Sequence, residues 1–465
     1  MKKRILLVHS RSGPPLDFAL ARLAARAEVH VLAFRPLPAG VEEYCASVIP
    51  AHERRLKGDA LVDAIVEAAG RVGADAVCGL SEYTVVPVAE AAERLGLPGP
   101  GPEAAASRDK RRMRAAWEKA GVPQPAYRAV ASAADLHRAF DELRPPLLLK
   151  AAWGAGSTAQ SVVSRVEEID AAWEEVTTVM TAADAAGAVM LEAPGAEDDF
   201  LVEEIIPGTT RSWWPDDSGY GDYLSVEGIV IEGEYHPVCV TSRLPTIPPF
   251  MELCNIAPCE LPEPLQREIE SVARAAVDAL GLRTCGTHTE IKLMRDGGLA
   301  LIESAARFGG AAILAQIEHV YGCDLIGILA DALLGLPTDP PASMLTQADA
   351  TGAACTLSLL ATDAKGRPWS RDLIWDTRVV DWPSLVTPGT TIETVPGLTI
   401  ADGTPMPKYE RSGGKMVLGG VLHMRSPDSR TLLHDAYAVL NGLEDALARG
   451  WQQAGSGGHE QGASA

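Results

Sequence analysis

The sequence predicts an α/β protein of several domains, and three observations carry that expectation. Short β-rich runs alternate with Ala- and Leu-rich helical stretches from the start of the chain, the pattern of a parallel βαβ unit. Two later apolar runs flank Asp296-Gly297, among the strongest short hairpin signals. The 465 residues, 47% hydrophobic and 22% charged, suffice for roughly two to four buried cores.

The formal charge of −21 excludes a broad phosphate-backbone surface, so nucleic acid is not an expected partner. The opening MKKRILLVHSRSG has too short an apolar run for a signal peptide or a spanning helix. A cytoplasmic protein without membrane partners is expected. Eight cysteines are scattered without a CxxC pair, so reduced thiols are expected rather than a zinc site or disulfide framework.

Arg4 to Val8, Glu28 to Ala33 and Ala76 to Leu80 read as strands of the opening unit, with a helix over Asp17 to Ala27. The turn-rich Gly96 to Ala106 marks a boundary, and a helix follows at Lys110 to Ala120. A small α+β unit comes next: a strand over Pro146 to Lys150, a loop AAWGAGSTAQ, a helix around Glu167 to Val179 and a strand over Phe200 to Ile206. TTRSWWPDDSGYGD reads as a long loop or insertion, and strands resume at Tyr223 to Ile231 and Tyr235 to Thr241. Leu265 to Leu280 places Leu265, Ile269, Val272, Ala276 and Leu280 on one helical face, with Gly281 as its stop. Strand and turn signals with a closing helix fill Thr351 to Leu447, and the Gly- and Ser-rich end is expected to be disordered. The expected domains are 1–105, 106–205, 206–340 and 341–450, with a tail over 451–465.

The hairpin carries the clearest chemistry. A turn centred on Asp296-Gly297 sets Glu290 opposite Glu303, Ile291 opposite Ile302 and Lys292 opposite Leu301. Directly opposed β-carbons lie about 4.5–5.5 Å apart, so two ionised carboxylates repel unless a cation lies between them. A hard divalent ion completed by phosphate oxygens fits; a solvated hairpin with chance acids is the alternative that the register leaves open. Arg307 lies just beyond, within reach of phosphate or oxyanion oxygens.

Lys150 ends an apolar strand before Gly154, Gly156, Ser157 and Thr158, a loop whose amides could close over phosphates, although it is no Walker A loop. Lys110 opens a helix, and Glu203 and Glu204 end FLVEEIIPG, where a strand edge could meet an adenine.

In order and spacing, SRDKRRMRAAWEKAGVPQP, the Lys150 loop, FLVEEIIPG and the paired-Glu hairpin resemble the ATP-grasp ligases over Met1 to Leu336. SVEGIVIEGEYHP, FMELCNIAP and ESAARFGG look most similar to the L-amino-acid ligase branch. The resemblance implies an ATP-grasp fold with an N-terminal pre-ATP-grasp domain and an accessory C-terminal α+β domain. It implies ATP and Mg2+, with Mn2+ as a substitute, and small amino acids as substrates. Lys110 and Lys150 would hold phosphates with the Gly154–Gly156–Ser157 loop, while Glu203, Glu204 and Ile206 surround the adenine. Glu290 and Glu303 would bind metal, Arg307 would steady the acyl-phosphate and the tetrahedral state, and Gly310 would line the acyl pocket. Glu252 would meet the substrate amino group.

Ala305 stands where many ATP-grasp enzymes place Asn. Asn255 stands where the branch can carry His, and Ala311 where a bulky residue can narrow the acyl pocket. The expected activity is amide formation between an amino-acid carboxylate and an amine through an acyl-phosphate. The alternatives are an ATP-grasp carboxylase or purine-biosynthesis-type ligase, or, outside catalysis, a nucleotide-binding regulator. The sequence leaves the oligomeric state open, a C2 homodimer being the commonest assembly.

Overall fold

The computed structural model describes residues 2–52, 56–154, 156, 158–185, 199–215, 217–411 and 417–457. The chain opens with β1 (Arg4–His9), α1 (Leu16–Arg26), β2 (Glu28–Ala33), β3 (Ser47–Pro50), α2 (Asp59–Val72), β4 (Ala76–Gly79) and α3 (Val85–Leu95). Their strands form a parallel sheet in the order β3-β2-β1-β4. The order reverses direction at β1, which opens a crevice at the C-terminal ends of β1 and β4, where ligands of such sheets bind. β1 is apolar from Ile5 to Val8 because both its faces are covered: Leu6, Val8 and Leu32 pack towards α2 and α3, and Ile5, Leu7, Val29 and Val31 towards α1 and the rest of the molecule.

A second unit comprises α4 (Lys110–Ala120), β5 (Tyr127–Val130), α5 (Ala133–Glu142), β6 (Leu147–Ala151), β7 (Gln160–Val163), α6 (Ile169–Ala185) and β8 (Phe200–Glu204). Asp109 caps α4 by accepting from the Arg111 amide at 2.9 Å. The antiparallel sheet runs β5-β8-β6-β7, and Leu147, Leu149, Val163, Ile169, Val176, Phe200 and Val202 form its own core.

The remaining elements are β9 (Tyr223–Ile231), β10 (Glu234–Arg243), β11 (Cys254–Ala257), α7 (Glu263–Ala279), β12 (Cys285–Leu293), β13 (Leu299–Ala305), α8 (Ile313–Tyr321), α9 (Leu325–Leu333), β14 (Ala353–Leu359), β15 (Ile374–Trp375), β16 (Thr391–Thr394), β17 (Thr404–Pro405), β18 (Gly420–Ser426) and α10 (Ser429–Gly457). Eight of these strands form one sheet, β13-β12-β9-β10-β11-β14-β18-β16. The segment expected as an accessory domain therefore extends the central sheet through the β11–β14 pairing and shares its core. Gly281, with φ +63°, lies just past the end of α7.

The Trp-rich segment is a loop between β8 and β9, as expected, and it is anchored: Trp213 and Trp214 are buried, donating to the carbonyls of Met294 (2.7 Å) and Gly221 (3.1 Å). One expectation changes. The closing helix runs to Gly457, beyond the expected start of the tail, since the Trp451 indole N–H donates to the Ile374 carbonyl at 2.9 Å; residues 458–465 lie outside the described residues. All eight cysteines are free thiols and seven are buried. Among the described residues, no single helix is long and apolar enough to cross a membrane; the apolar pair α8 and α9 meets at 104°.

Gly286 on β12 lies against the Phe308 ring, where an added β-carbon would sit 2.5 Å from Cδ1. Phe308 is itself buried and cannot swing away freely. Gly286→Ala is therefore expected to destabilise by about 1–3 kcal/mol, the range for overpacking, read as a lowered thermal midpoint. An unchanged midpoint would show that the ring can move.

Candidate active site

The β12–β13 ladder sets Glu290 opposite Glu303, as the hairpin pattern predicts. The rest of the predicted register does not hold, because Ile291 pairs with Leu301 and Lys292 with Ala300. The physical reason is the connection: a 3-10 turn over Arg295–Gly297, with Gly297 at φ +75°, replaces a two-residue turn. One surplus residue, Ile302, is absorbed as a bulge beside Glu303. Its carbonyl accepts from the Arg114 guanidinium at 2.7 Å.

The two opposed carboxylates keep side-chain exposures of 15% for Glu290 and 25% for Glu303, whereas their neighbours Thr289 and Ser304 are fully enclosed. Burial opposes charge on both. At Glu290 the His288 hydrogen bond outweighs it, and at Glu303 the cations Lys110, Lys150 and Arg307 do so, holding both carboxyls below the usual range. Among the described residues, no group of three or more His, Cys, Asp or Glu side chains is arranged for a metal ion. Two hard oxygen donors with open flanks fit a magnesium ion whose remaining ligands are phosphate and water, and do not fit zinc.

Lys110 ties this pair to the Gly-rich loop: its Nζ lies 3.3 Å from Glu303 Oε2 and donates to the Gly154 carbonyl at 2.8 Å. Gly156 adopts φ +63°, and Ser157 lies outside the described residues. Lys150 is buried and donates to Glu203 Oε1 at 2.5 Å, while Arg114 grips Glu203 Oε2 at 2.9 Å. Glu204, on the other face of β8, is held by Arg144 at 2.7 Å. Both carboxylates at the strand end are thus committed to cations. Ile206 follows as half-buried chain, its carbonyl accepting from the Gly208 amide at 2.9 Å.

The sequence reading missed the carboxylate that joins these parts. Glu82 follows β4 in a 3-10 turn capped by Ser81, and it is buried. Its Oε2 accepts from Arg307 Nε at 2.5 Å and its Oε1 from Arg108 at 2.7 Å; Arg108 also donates to the Trp153 carbonyl at 2.8 Å. Burial raises its pKa, but Arg307, Arg108 and Lys110 together outweigh that and hold the carboxyl down at about 2. An acid just past the C-terminal end of a parallel strand was the available signal. Arg114 had a signal too, lying four residues after Lys110 on one helical face.

A second buried network lies on the substrate side. Arg243 donates to Glu252 at 3.0 Å and to Ser225 at 2.9 Å, and Ser225 donates to Glu227 at 2.8 Å. His288 bridges Glu227 (Nδ1, 2.7 Å) to Glu290 (Nε2, 3.2 Å). Asn255 pairs with Arg243 in the ladder and is buried, its Oδ1 without a protein partner. Gly309 covers this network closely: an added β-carbon would lie 2.9 Å from Glu227 Oε2 and 3.1 Å from His288 Nδ1. Gly310 is open, and Ala311, at φ +56°, donates its amide to the Gly13 carbonyl at 3.2 Å.

Burial pushes the His288 imidazolium down, but Glu227 first and Glu290 second more than offset it, raising its pKa from 6.5 to about 9. The stabilisation from a raised pKa is complete below 6.5 and is lost as pH rises through 9. Metal-free protein should therefore lose thermal stability across that window, and His288→Gln should flatten the slope there. A variant with the wild-type slope would remove His288 as its source.

Residues 143–315 match the family model of the ATP-grasp domain and residues 35–99 that of the ATP-grasp N-terminal domain. The chain is 38% identical to the alanine–anticapsin ligase of Bacillus subtilis over 318 residues, 68% of this chain and 66% of that protein, so it spans just under two thirds of this relative's length. The fold is similar to the crystal structure of an L-amino acid ligase from Bacillus licheniformis, with TM-score 0.71, 19% identity and coverage of 94% of this chain and 97% of that one. It is also similar to a biotin carboxylase from Campylobacter jejuni, with TM-score 0.63, 18% identity and coverage of 97% and 99%. With the two domain models matched in order along one chain, and with the fold shared over nearly its whole length, this chain belongs to the ATP-grasp family.

Proposed function

We propose that this protein is an ATP-dependent carbon–nitrogen ligase that joins an amino-acid carboxylate to the amine of a second amino acid, releasing ADP and phosphate. The observation that carries the reading is the convergence of Lys110, Glu303, Glu82 and Arg307 beside Glu290, with Lys150 held by buried Glu203 behind them. The likeness to the alanine–anticapsin ligase supports an amino acid as donor or acceptor.

In the first step a donor carboxylate oxygen attacks the γ-phosphorus and ADP leaves; in the second an amine nitrogen attacks the acyl carbon, phosphate leaves and the amine loses a proton. Glu290 and Glu303 would hold magnesium, which when bound offsets phosphate charge. Lys110 and Lys150 bind phosphate oxygens, and Lys110, tied to the Gly154 carbonyl, couples that binding to the position of the Gly-rich loop. Closing that loop excludes water from the reactive acyl-phosphate. Arg307, oriented by Glu82, meets the oxyanion of the tetrahedral state. Glu203, Glu204 and Ile206 border the adenine, Glu252 and Asn255 the donor's amino end, and Gly310 and Ala311 the acyl pocket. ATP and free amino acids are cytoplasmic metabolites, and the cytoplasm is where we expect the enzyme to act.

Incubation with ATP, magnesium and amino acids, singly and in pairs, with mass detection of products, tests this directly. Dipeptide with stoichiometric ADP is expected; ADP formation that needs bicarbonate and no amine would replace the reading with a carboxylase. Glu303→Gln should lower ATP turnover by at least about 100-fold, the scale of losing one strong electrostatic contact in a phosphoryl-transfer site. Wild-type turnover in that variant sinks the metal assignment.

Ala311 leaves room beside Gly310, so donors larger than alanine should be accepted. Ala311→Trp is expected to shift preference towards small donors, read as phosphate release across a donor series. An unchanged series would remove Ala311 from the acyl pocket.

A further inference from the structure

Outside the ATP site, the C-terminal ends of β1 and β2 carry a cationic cluster that the proposed roles leave unused. His9 pairs with Ala33 in the parallel register, and the Phe34 amide donates to the His9 carbonyl at 3.0 Å. Two residues further along each chain, that register brings Arg11 beside Arg35. Ile5, Leu7, Val29, Val31 and Ala33 belong to the core that includes Phe308 and Ile313, and His9 follows Leu7 on that face of β1; Arg11 and Arg35 lie in the bends just past the ends of β1 and β2.

The loop carrying Arg11 is tied to the catalytic machinery at three points. The Arg11 carbonyl accepts from Ser81 Oγ at 2.6 Å, Ser12 Oγ meets Ser81 Oγ at 3.3 Å, and the Gly13 carbonyl accepts the Ala311 amide at 3.2 Å. Ser81 immediately precedes Glu82, the partner of Arg307.

Neither Arg11 nor Arg35 has a carboxylate partner among the described residues, in a chain whose formal charge is −21. Arg35 is exposed and Arg11 half-buried. Burial first and the neighbouring guanidinium second lower the Arg35 pKa, and burial with Arg35 holds His9 down at about 4, so His9 is neutral at pH 7. Two adjacent cations that repel one another at the ligand-binding edge of a parallel sheet call for an anion.

We propose that Arg11 and Arg35, with His9 beside them, form a subsite that recognises the carboxylate of the acceptor amino acid. This rests on the ligase reading and names the groups by which this chain would select a free α-amino acid over a simple amine as its second substrate. A planar carboxylate matches the guanidinium fork. Bound on the N-terminal sheet side of the Gly309–Ala311 loop, it would direct the acceptor's amino nitrogen towards the acyl carbon beside Arg307. The donor's carboxylate, by contrast, must lie on the phosphate side with Lys150.

The test compares an acceptor amino acid with its carboxamide, at saturating ATP and donor, in wild type and in the Arg11→Gln, Arg35→Gln and double variants. Wild type should prefer the free acid. Each single variant should raise KM for the acid roughly 10- to 100-fold, the scale of a charge-assisted hydrogen bond, while KM for the carboxamide, for donor and for ATP stays unchanged. Equal KM changes for acid and carboxamide, or none, overturn the subsite while leaving the ligase standing. Wild type that forms no amide with any pair overturns both.

Discussion

Glu82 brings together parts of the chain that have no reason of their own to meet. It stands at the end of the N-terminal parallel sheet, yet it accepts from Arg108, which precedes α4, and from Arg307, which follows the carboxylate hairpin. Taking an ion triad out of water costs several kcal/mol per charge, so such an arrangement survives only when each member is satisfied by another. Removing one partner typically costs about 3–5 kcal/mol because the others are left buried and unpaired. The same constraint ties the end of the N-terminal sheet, the start of α4 and Arg307 into one unit. Arg108 extends it to the Trp153 carbonyl, one residue before Gly154.

Charge alternation continues outwards from that triad. Lys110 lies between Glu303 and the Gly154 carbonyl, and Glu203 between Lys150 and Arg114. On the other flank His288 bridges Glu227 to Glu290, while Arg243 reaches both Glu252 and Ser225. The two lysines proposed to meet phosphate are each held by an acid, Lys110 by Glu303 and Lys150 by Glu203. Substrate phosphates would exchange these partners at little reorganisation cost, which is what preorganised electrostatic catalysis requires. Small residues make the crowding feasible: Gly309 lets backbone pass over the Glu227–His288 pair, and Gly286 admits the Phe308 ring.

Much of this was legible in the residues. Strands β2 and β9 and helix α4 match their predicted limits, because each is a long apolar or amphipathic run with a clear stop. The opposition of Glu290 and Glu303 could be read from the hairpin, but the bulge at Ile302 could not. A bulge depends on how the turn closes and on Arg114, far along the chain, accommodating the released carbonyl. How the C-terminal segment joins the rest was hidden for a similar reason: nothing local in Ala353–Leu359 or Gly420–Ser426 says which strand it will pair with.

The sequence by itself determined which side chains carry charge, where apolar periodicity starts and stops, and, through the family motifs, the order of the ATP elements. Those are local properties, set by residue type and by spacings of a few residues. Only the tertiary structure decided that Glu82 orients Arg307, that Glu203 is shared by Lys150 and Arg114, and that the loop after β1 meets Ala311 through the Gly13 carbonyl. The carboxylate pairings join residues 53 to 225 positions apart, as in the spans from Lys150 to Glu203 and from Glu82 to Arg307. Burial makes them obligatory, since a desolvated charge must find its counterpart wherever the chain has carried it.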